Sequence, residues 1–186
     1  MRYLIGLIIT VGLIILLIIL IFRGGNQKAP TAPSNKSLSS YATTDAQTIM
    51  TIEGPINANS LHQGIRVTVD HDNVTFETLT GYDGNVTELK NFSNSTSAYQ
   101  AFLSALNNLG FKEVNKKYSS TNVEGTCPLG TRTIFQLVQD QQQVVNSWTT
   151  SCGFGTYAGA IGSTTTLFQN QVPGYSQLSQ NFNSSM

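Results

Sequence analysis

The stretch TRTIFQLVQDQQQVVNSWTT, residues 131–150, decides the fold class of this chain. Its two halves, 131–139 and 142–150, are rich in Ile, Phe, Val and Trp, which are the residues that favour β-strands. The polar residues between the halves indicate a tight turn. We therefore predict a β-hairpin at this position.

The only cysteines of the chain, Cys127 and Cys152, flank this hairpin. A two-residue turn at Gln139-Asp140 would place them directly opposite each other, and a turn at Asp140-Gln141 would shift the match by two residues. Because opposed strand residues have Cβ atoms about 4.5–5.5 Å apart, we predict a disulfide. The alternatives are two buried thiols and a metal site, but two cysteines without a nearby histidine fall short of four zinc ligands.

The sequence before this hairpin predicts three further strands and one edge strand. Residues 48–52 end at a Gly-Pro turn, and residues 65–69 and 74–79 alternate apolar and polar side chains around a polar turn. Residues 111–118 carry three lysines, which would discourage edge-to-edge pairing of a strand at the border of a sheet.

One helix is well marked in the sequence, and a second helix or turn is predicted at residues 161–170. Ser95 is a candidate N-cap and Gly110 a stop signal. Apolar residues between them recur at three- and four-residue spacing, which gives one apolar stripe: Tyr99, Phe102, Leu103, Leu106 and Leu109. The order of elements predicts an α+β fold with a mainly antiparallel sheet of two hairpins, packed by one or two helices.

The flanks of this domain differ from it in composition. Residues 24–46 are rich in Gly, Pro, Ser, Asn and Thr and predict a flexible stalk. The domain then spans 47–175, and 176–186 form a polar tail that we expect to fray.

The N-terminal segment predicts a membrane anchor at residues 1–23. Residues 3–22, YLIGLIITVGLIILLIILIF, carry no charge and as a helix would be about 30 Å long, the thickness of the hydrocarbon core of a bilayer. A buried core helix rarely stays apolar on all sides for so long. A cleaved signal peptide has a shorter apolar region and a small-residue cleavage site, and neither feature is present here.

The orientation of this anchor does not follow from its flanking charges. Arg2 on one side nearly balances Arg23, Lys28 and Lys36 on the other, with a slight lean toward a cytoplasmic domain. Only 11% of the residues are charged, and the predicted disulfide belongs to an oxidising compartment. We therefore expect a single-pass protein of the cell membrane whose C-terminal domain lies outside.

Charge and motifs exclude several classes of function. Removing Arg2 and Arg23 leaves 8 basic against 10 acidic residues, a net charge of −2, which does not suit nucleic-acid binding. The segment Asp70-His71-Asp72 lacks the ligand and glycine positions of a calcium-binding loop and indicates a turn. For His62 we expect an exposed or capping role in a loop. Residues 153–162 are glycine-rich but lack a phosphate-loop pattern and predict a flexible connection. We therefore predict no catalytic, cofactor-binding or metal-binding residues, and no enzyme.

Two other features bear on a surface location. Six N-x-[ST] sequons are candidate glycosylation sites, at Asn35, Asn73, Asn85, Asn91, Asn94 and Asn183. Candidate contact residues are Trp148 and six tyrosines, Tyr41, Tyr82, Tyr99, Tyr118, Tyr157 and Tyr175, although the same residue types also fill cores.

The anchor MRYLIGLIITVGLIILLIILIFRGG, the polar stalk and the segments CPLG at 127–130 and WTTSC at 148–152 resemble uncharacterised envelope proteins of Saccharibacteria-type bacteria. This resemblance implies an envelope location, no known activity and no site residues.

These observations lead to one functional expectation and two alternatives. We expect a membrane-anchored extracytoplasmic binding or envelope-structural module, whose partner is an envelope or surface protein or a glycan. The first alternative is a cell-envelope enzyme that acts on glycan or peptide. The second is an accessory subunit of a membrane complex, in which residues 3–22 contact partner helices as well as the lipid bilayer.

Overall fold

A computed structural model of the chain describes residues 36–118 and 125–184. Six strands in these ranges form one sheet: β1 Gln47–Glu53, β2 Gln63–Val69, β3 Asn73–Thr80, β4 Asn85–Ser93, β5 Arg132–Gln139 and β6 Gln142–Thr150. Their spatial order is β4-β3-β2-β1-β5-β6, and every neighbouring pair is antiparallel. The predicted α+β class, the antiparallel sheet and both hairpins are confirmed.

One helical turn precedes the sheet, and longer helical segments follow β4 and β6. A short 3-10 helix at Leu38–Tyr41 precedes β1, and α1 spans Thr96–Asn108. After β6 come α2 Ile161–Gln169, α3 Tyr175–Leu178 and α4 Gln180–Ser184. The predicted N-cap is confirmed, because the Ser95 hydroxyl accepts a hydrogen bond from the Ala98 N–H at 3.2 Å. Gly110 follows α1 with φ 76°, a left-handed conformation that ends the helix.

The core lies between the helices and one face of the sheet. Met50 of β1 pairs with Val67 of β2 and Phe135 of β5, and none of the three exposes any surface. Strand side chains alternate between faces, so this row defines the core face. The predicted apolar stripe of α1 packs on it, and Phe168 of α2 contacts Phe102 with ring centroids 5.1 Å apart.

The edge strand predicted at 111–118 is wrong. Phe111 leaves α1 through the left-handed Gly110 and inserts into the core, where its ring lies 6.1 Å from that of Phe135. Only Val114 forms a single bridge, to Tyr157. Burying an aromatic ring outweighs the weak strand signal of this lysine-rich segment. The strand that the sequence did not indicate is β4, and it is this strand that forms a border of the sheet.

The folded part of the chain extends beyond the predicted domain, 47–175, at both ends. Leu38 and Tyr41 fall within the predicted stalk, yet they are 0% and 4% exposed and belong to the core. At the other end, α3 and α4 occupy much of the predicted polar tail, and Phe182 is buried. In both segments a few well-spaced apolar residues anchor a chain whose average composition is polar.

The predicted anchor at 3–22 and the part of the predicted stalk up to residue 35 lie outside the described residues. Within 36–118 and 125–184, no helix has the length and apolar character needed to cross a bilayer.

Candidate functional site

The face of the sheet opposite the core carries two ion pairs between neighbouring strands. Glu53 of β1 is the register partner of Arg132 of β5, and its Oε2 lies 3.2 Å from the arginine Nε. Arg66 of β2 is likewise opposite Glu77 of β3, with Nη1 and Oε2 3.3 Å apart. The side-chain alternation that buries Met50 directs these charged residues to this second face, which we call the open face.

A gap between the two ion pairs arises from a glycine. Gly64 of β2 is paired with Glu53 on one side and with Leu79 of β3 on the other. A Cβ at this position would lie 3.1 Å from the Ile52 carbonyl oxygen and 3.6 Å from the Leu79 Cβ. Because the glycine has no side chain, the backbone itself forms the floor of a depression between the strands.

An aromatic stack closes one side of this depression. The Tyr82 ring lies on the His62 ring at a centroid distance of 4.0 Å and an interplanar angle of 14°. The Tyr82 hydroxyl donates to the Asn57 carbonyl at 2.9 Å, and the Tyr82 N–H donates to the Asn59 Oδ1 at 2.7 Å. These bonds fix the ring, which remains 52% exposed and presents its free surface to solvent.

His62 beneath the tyrosine is oriented by the backbone. Its Nδ1 lies 3.2 Å from the Pro55 carbonyl oxygen, and since a carbonyl only accepts hydrogen bonds, Nδ1 carries the proton. In the neutral ring the Nε2 is then an acceptor. The predicted exposed role for His62 is wrong, because the side chain is 3% exposed under Tyr82.

These groups enclose a cleft of about 130 Å³. Its walls come from β1, β2, the end of β3 and the β3–β4 turn, with these lining residues: Thr51, Glu53, His62, Gly64, Arg66, Leu79, Gly81, Tyr82, Asp83 and Gly84. The space equals that of about four waters, well below the several hundred Å³ of a drug-sized site. The cleft therefore suits one terminal polar group of a larger ligand. Carboxylates, a guanidinium and an imidazole offer both donors and acceptors to such a group.

Arg132 gives the cleft a buried positive charge behind Glu53. The arginine is 2% exposed, and its Nη2 donates to the Gly54 carbonyl at 2.7 Å. Its Nη1 has no hydrogen-bond partner among the described residues. The ion pair between the Arg132 Nε and the Glu53 Oε2 holds the Glu53 carboxylate in place at the edge of the cleft.

A larger groove lies elsewhere, between α1 and α2. It has a volume of about 670 Å³ and is lined by small and neutral side chains, among them Ala105, Gly162 and Ser163. Without a charged or aromatic group in its lining it offers little that would orient a ligand. We therefore take the open-face cleft as the candidate site.

The predicted disulfide is confirmed, although its surroundings differ from the expected ones. The Cys127 and Cys152 sulfurs are bonded, with Cα atoms 5.8 Å apart. Both cysteines lie in loops beyond the strand ends, since β5 begins at Arg132 and β6 ends at Thr150. The turn of the hairpin falls at Asp140-Gln141, the second of the two positions considered. These two residues have φ values of 49° and 61°, as a type I′ turn requires.

The Asp70-His71-Asp72 segment is a turn, as predicted. The Asp70 carboxylate accepts hydrogen bonds from the N–H groups of Asp72 and Asn73 at 2.9 and 2.7 Å, which stabilises the reversal between β2 and β3. Across 36–118 and 125–184, no three His, Cys, Asp or Glu side chains come together as metal ligands would.

The glycine-rich connection after β6 is more ordered than its composition suggests. Gly155 has φ 154°, and a Cβ there would clash with the Trp148 carbonyl, so the chain can lie directly against β6. Among the predicted contact residues Trp148 and Tyr99 are buried, whereas Tyr82 is exposed. The sequon residues Asn73, Asn85 and Asn91 are exposed.

Sequence reasoning missed the cleft because its parts are far apart in the chain. Glu53, Arg66 and Arg132 are ordinary charged residues of three strands. The register alone brings Glu53 and Arg132 into one ion pair, and Arg66 and Glu77 into another. The detectable signal was the alternation through 65–69, which assigns Arg66 to the face opposite Ile65 and Val67. No protein family, curated protein or solved structure matches this chain.

Proposed function

We propose that this protein is a membrane-anchored extracytoplasmic binding module whose open-face cleft takes a terminal sugar of an envelope glycan. Residues 3–22 would span the bilayer, and the folded domain would lie outside the cell. The observation that carries the ligand class is the exposed Tyr82 ring fixed beside a small cleft of donors and acceptors.

The chemistry of a sugar suits both parts of this arrangement. A sugar ring has an apolar C–H face that packs on an aromatic ring, and its hydroxyls both donate and accept hydrogen bonds. The Glu53 carboxylate accepts from a hydroxyl and the Arg66 guanidinium donates to one. With 30% and 35% of their side chains exposed, both groups are reachable from solvent while their ion pairs fix their positions.

The test of the ligand is a titration of the full chain, in a mild detergent, with monosaccharides and with glycan fragments from the envelope of the cell that produces the protein. Chemical-shift changes or heat of binding report association. We expect Tyr82→Ala and Arg66→Met to abolish binding, because they remove the stacking surface and the guanidinium donor. Phe154→Ala is the matched control, since Phe154 is a 45% exposed aromatic residue that does not line the cleft. Equal binding by the wild type and the Tyr82→Ala variant would exclude the cleft as a glycan site.

The location requires a separate experiment on intact cells. Protease protection and thiol labelling report the side of the membrane on which the domain lies and the redox state of its cysteines. We expect digestion of the domain by external protease, and thiol labelling only after reduction. Protection from external protease together with direct labelling would indicate a cytoplasmic domain and overturn the location without bearing on the ligand.

One observation favours the enzyme alternative as a second candidate. Two carboxylates, Glu53 and Asp83, line the same cleft, and paired carboxylates are the groups that glycoside hydrolysis uses. If the cleft cleaves the glycan that it binds, Asp83→Asn will retain binding and lose turnover of an envelope glycan. If wild-type protein releases no reducing ends from that glycan, only the binding function remains.

A further inference from the structure

The two edge strands of the sheet, β4 and β6, differ in whether their outer backbone groups are hydrogen-bonded. At β6, the connection that follows the strand folds back along it: the Tyr157 N–H donates to the Trp148 carbonyl at 3.0 Å, and the Thr150 N–H donates to the Phe154 carbonyl at 2.8 Å. Gly155 also forms a bridge with Thr149. The C-terminal half of this border is therefore covered by the chain itself.

At the other border, β4 presents a free backbone edge. The Asn94 N–H donates to the Asp72 carbonyl. In an antiparallel pair every second residue bonds to the neighbouring strand, so the backbone N–H and C=O groups of residues 92, 90 and 88 also point toward β3. The N–H and C=O groups of Leu89 and Asn91 consequently point away from the sheet. In the described part of the chain no strand lies on this side of β4.

Exposed apolar and charged side chains alternate along this edge. Leu89 and Val86 are apolar and 49% and 46% exposed. Glu88 and Lys90 stand on either side of Leu89, point to the same face and form an ion pair at 3.5 Å. Exposed apolar side chains beside free backbone groups form a template for pairing with another strand.

We infer that β4 is a self-association edge, at which two copies of this chain pair their β4 strands antiparallel about a twofold axis at Leu89. In that register each Leu89 faces its counterpart and exchanges two backbone hydrogen bonds with it. Each Glu88 then lies opposite Lys90 of the second copy, and each Lys90 opposite its Glu88.

The charge order identifies a second copy as the occupant of the edge. A strand that reads acid, apolar, base about its centre is complementary to itself when it is reversed, so one twofold axis produces two new ion pairs. The bulge between Thr78 and Leu79 of the β3–β4 pairing breaks the regular alternation near Thr87. The paired segment is therefore short. Because few contacts hold the two copies together, we expect the fraction of dimer to depend on protein concentration. This inference is independent of the ligand cleft.

The register is tested by crosslinking the full chain in detergent with a short bifunctional maleimide. Leu89→Cys places two thiols face to face and is expected to give a crosslinked dimer. Val86→Cys is the matched control on the same strand: its two copies would lie six positions apart, about 20 Å, beyond the reach of the reagent. Absence of the Leu89→Cys dimer, or equal crosslinking of the two variants, would overturn the proposal.

Charge reversal then tests the complementarity. Glu88→Lys and Lys90→Glu each place like charges opposite each other, so each variant alone is expected to sediment as a monomer at concentrations where the wild type dimerises. A mixture of the two variants restores both opposite-charge contacts and is expected to form a heterodimer, which also shows that both variants are folded. A wild type that stays monomeric, or reversals that leave the dimer unchanged, would contradict the inference.

Discussion

The Arg132 guanidinium forms an ion pair with the Glu53 carboxylate where β1 ends and β5 begins, and the arginine is almost completely buried. The two residues are register partners on β1 and β5, the strands that join the two hairpins. This ion pair therefore connects β1 with the β5–β6 hairpin and positions the carboxylate of the candidate cleft.

Glu53→Gln should destabilise the fold by about 2–3 kcal/mol, because it leaves the Arg132 charge buried without its counterion. Glu77→Gln is the matched control, since the Arg66 side chain it would leave is 35% exposed and open to water. We expect that change to cost less than about 1 kcal/mol. Urea unfolding of both variants measures the difference, and equal losses would show that the burial of Arg132 does not matter.

Reduction of the Cys127–Cys152 bond should lower the free energy of unfolding by about 3.5 kcal/mol. The bond joins residues 25 positions apart, and the loop it closes restricts the unfolded chain. Unfolding curves with and without dithiothreitol measure the effect. A Cys127→Ser, Cys152→Ser double variant should unfold like the reduced protein and respond no further to reductant. A wild-type curve that reductant leaves unchanged would contradict the prediction.

Leu38→Ala should destabilise the protein by about 2–4 kcal/mol, because Leu38 is fully buried although it lies in a segment of stalk-like composition. Leu129→Ala is the matched control, since the same truncation at a 90% exposed leucine should change stability by less than about 0.5 kcal/mol. Thermal unfolding compares the two. Similar behaviour of both variants would place residue 38 outside the folded unit after all.

Stability should fall at alkaline pH through the buried tyrosines. Burial raises the pKa of Tyr99, and burial also raises the pKa of Tyr157 and of Tyr175. Folded protein thus retains phenol protons that the unfolded chain releases above its ordinary pKa of about 10, so the stabilisation is complete below pH 10 and lost as pH rises further.

Tyr99→Phe separates the contribution of Tyr99 from that of the other two tyrosines. At neutral pH it should cost about 1 kcal/mol, because the Tyr99 hydroxyl donates to the Ala46 carbonyl at 2.9 Å. Above pH 10 its stability should decline less steeply than that of the wild type. Urea unfolding at a series of pH values measures both slopes, and identical slopes would exclude Tyr99 as a titrating group of the alkaline transition.

Local patterns in the sequence were sufficient for much of the fold. Alternation marked β2 and β3, and apolar spacing with a serine cap marked α1, because each pattern arises from the geometry of a single element. The pair Cys127 and Cys152 was recognisable because a hairpin brings its two ends together. These features depend on neighbours within a few residues or across one turn.

Only the tertiary structure decided which polar segments are buried and which charges meet. Phe111, Leu38 and Phe182 are single apolar residues in polar surroundings, and their burial depends on cavities formed by distant elements. The cleft depends on strand order: Glu53, Arg66 and Arg132 share a face only because β1 lies between β2 and β5. The sequence by itself determined five of the six strands, the helix α1 and the disulfide, since those follow from local periodicity and from the two ends of one hairpin. The cleft and the free edge of β4 follow from long-range pairing that no local pattern encodes.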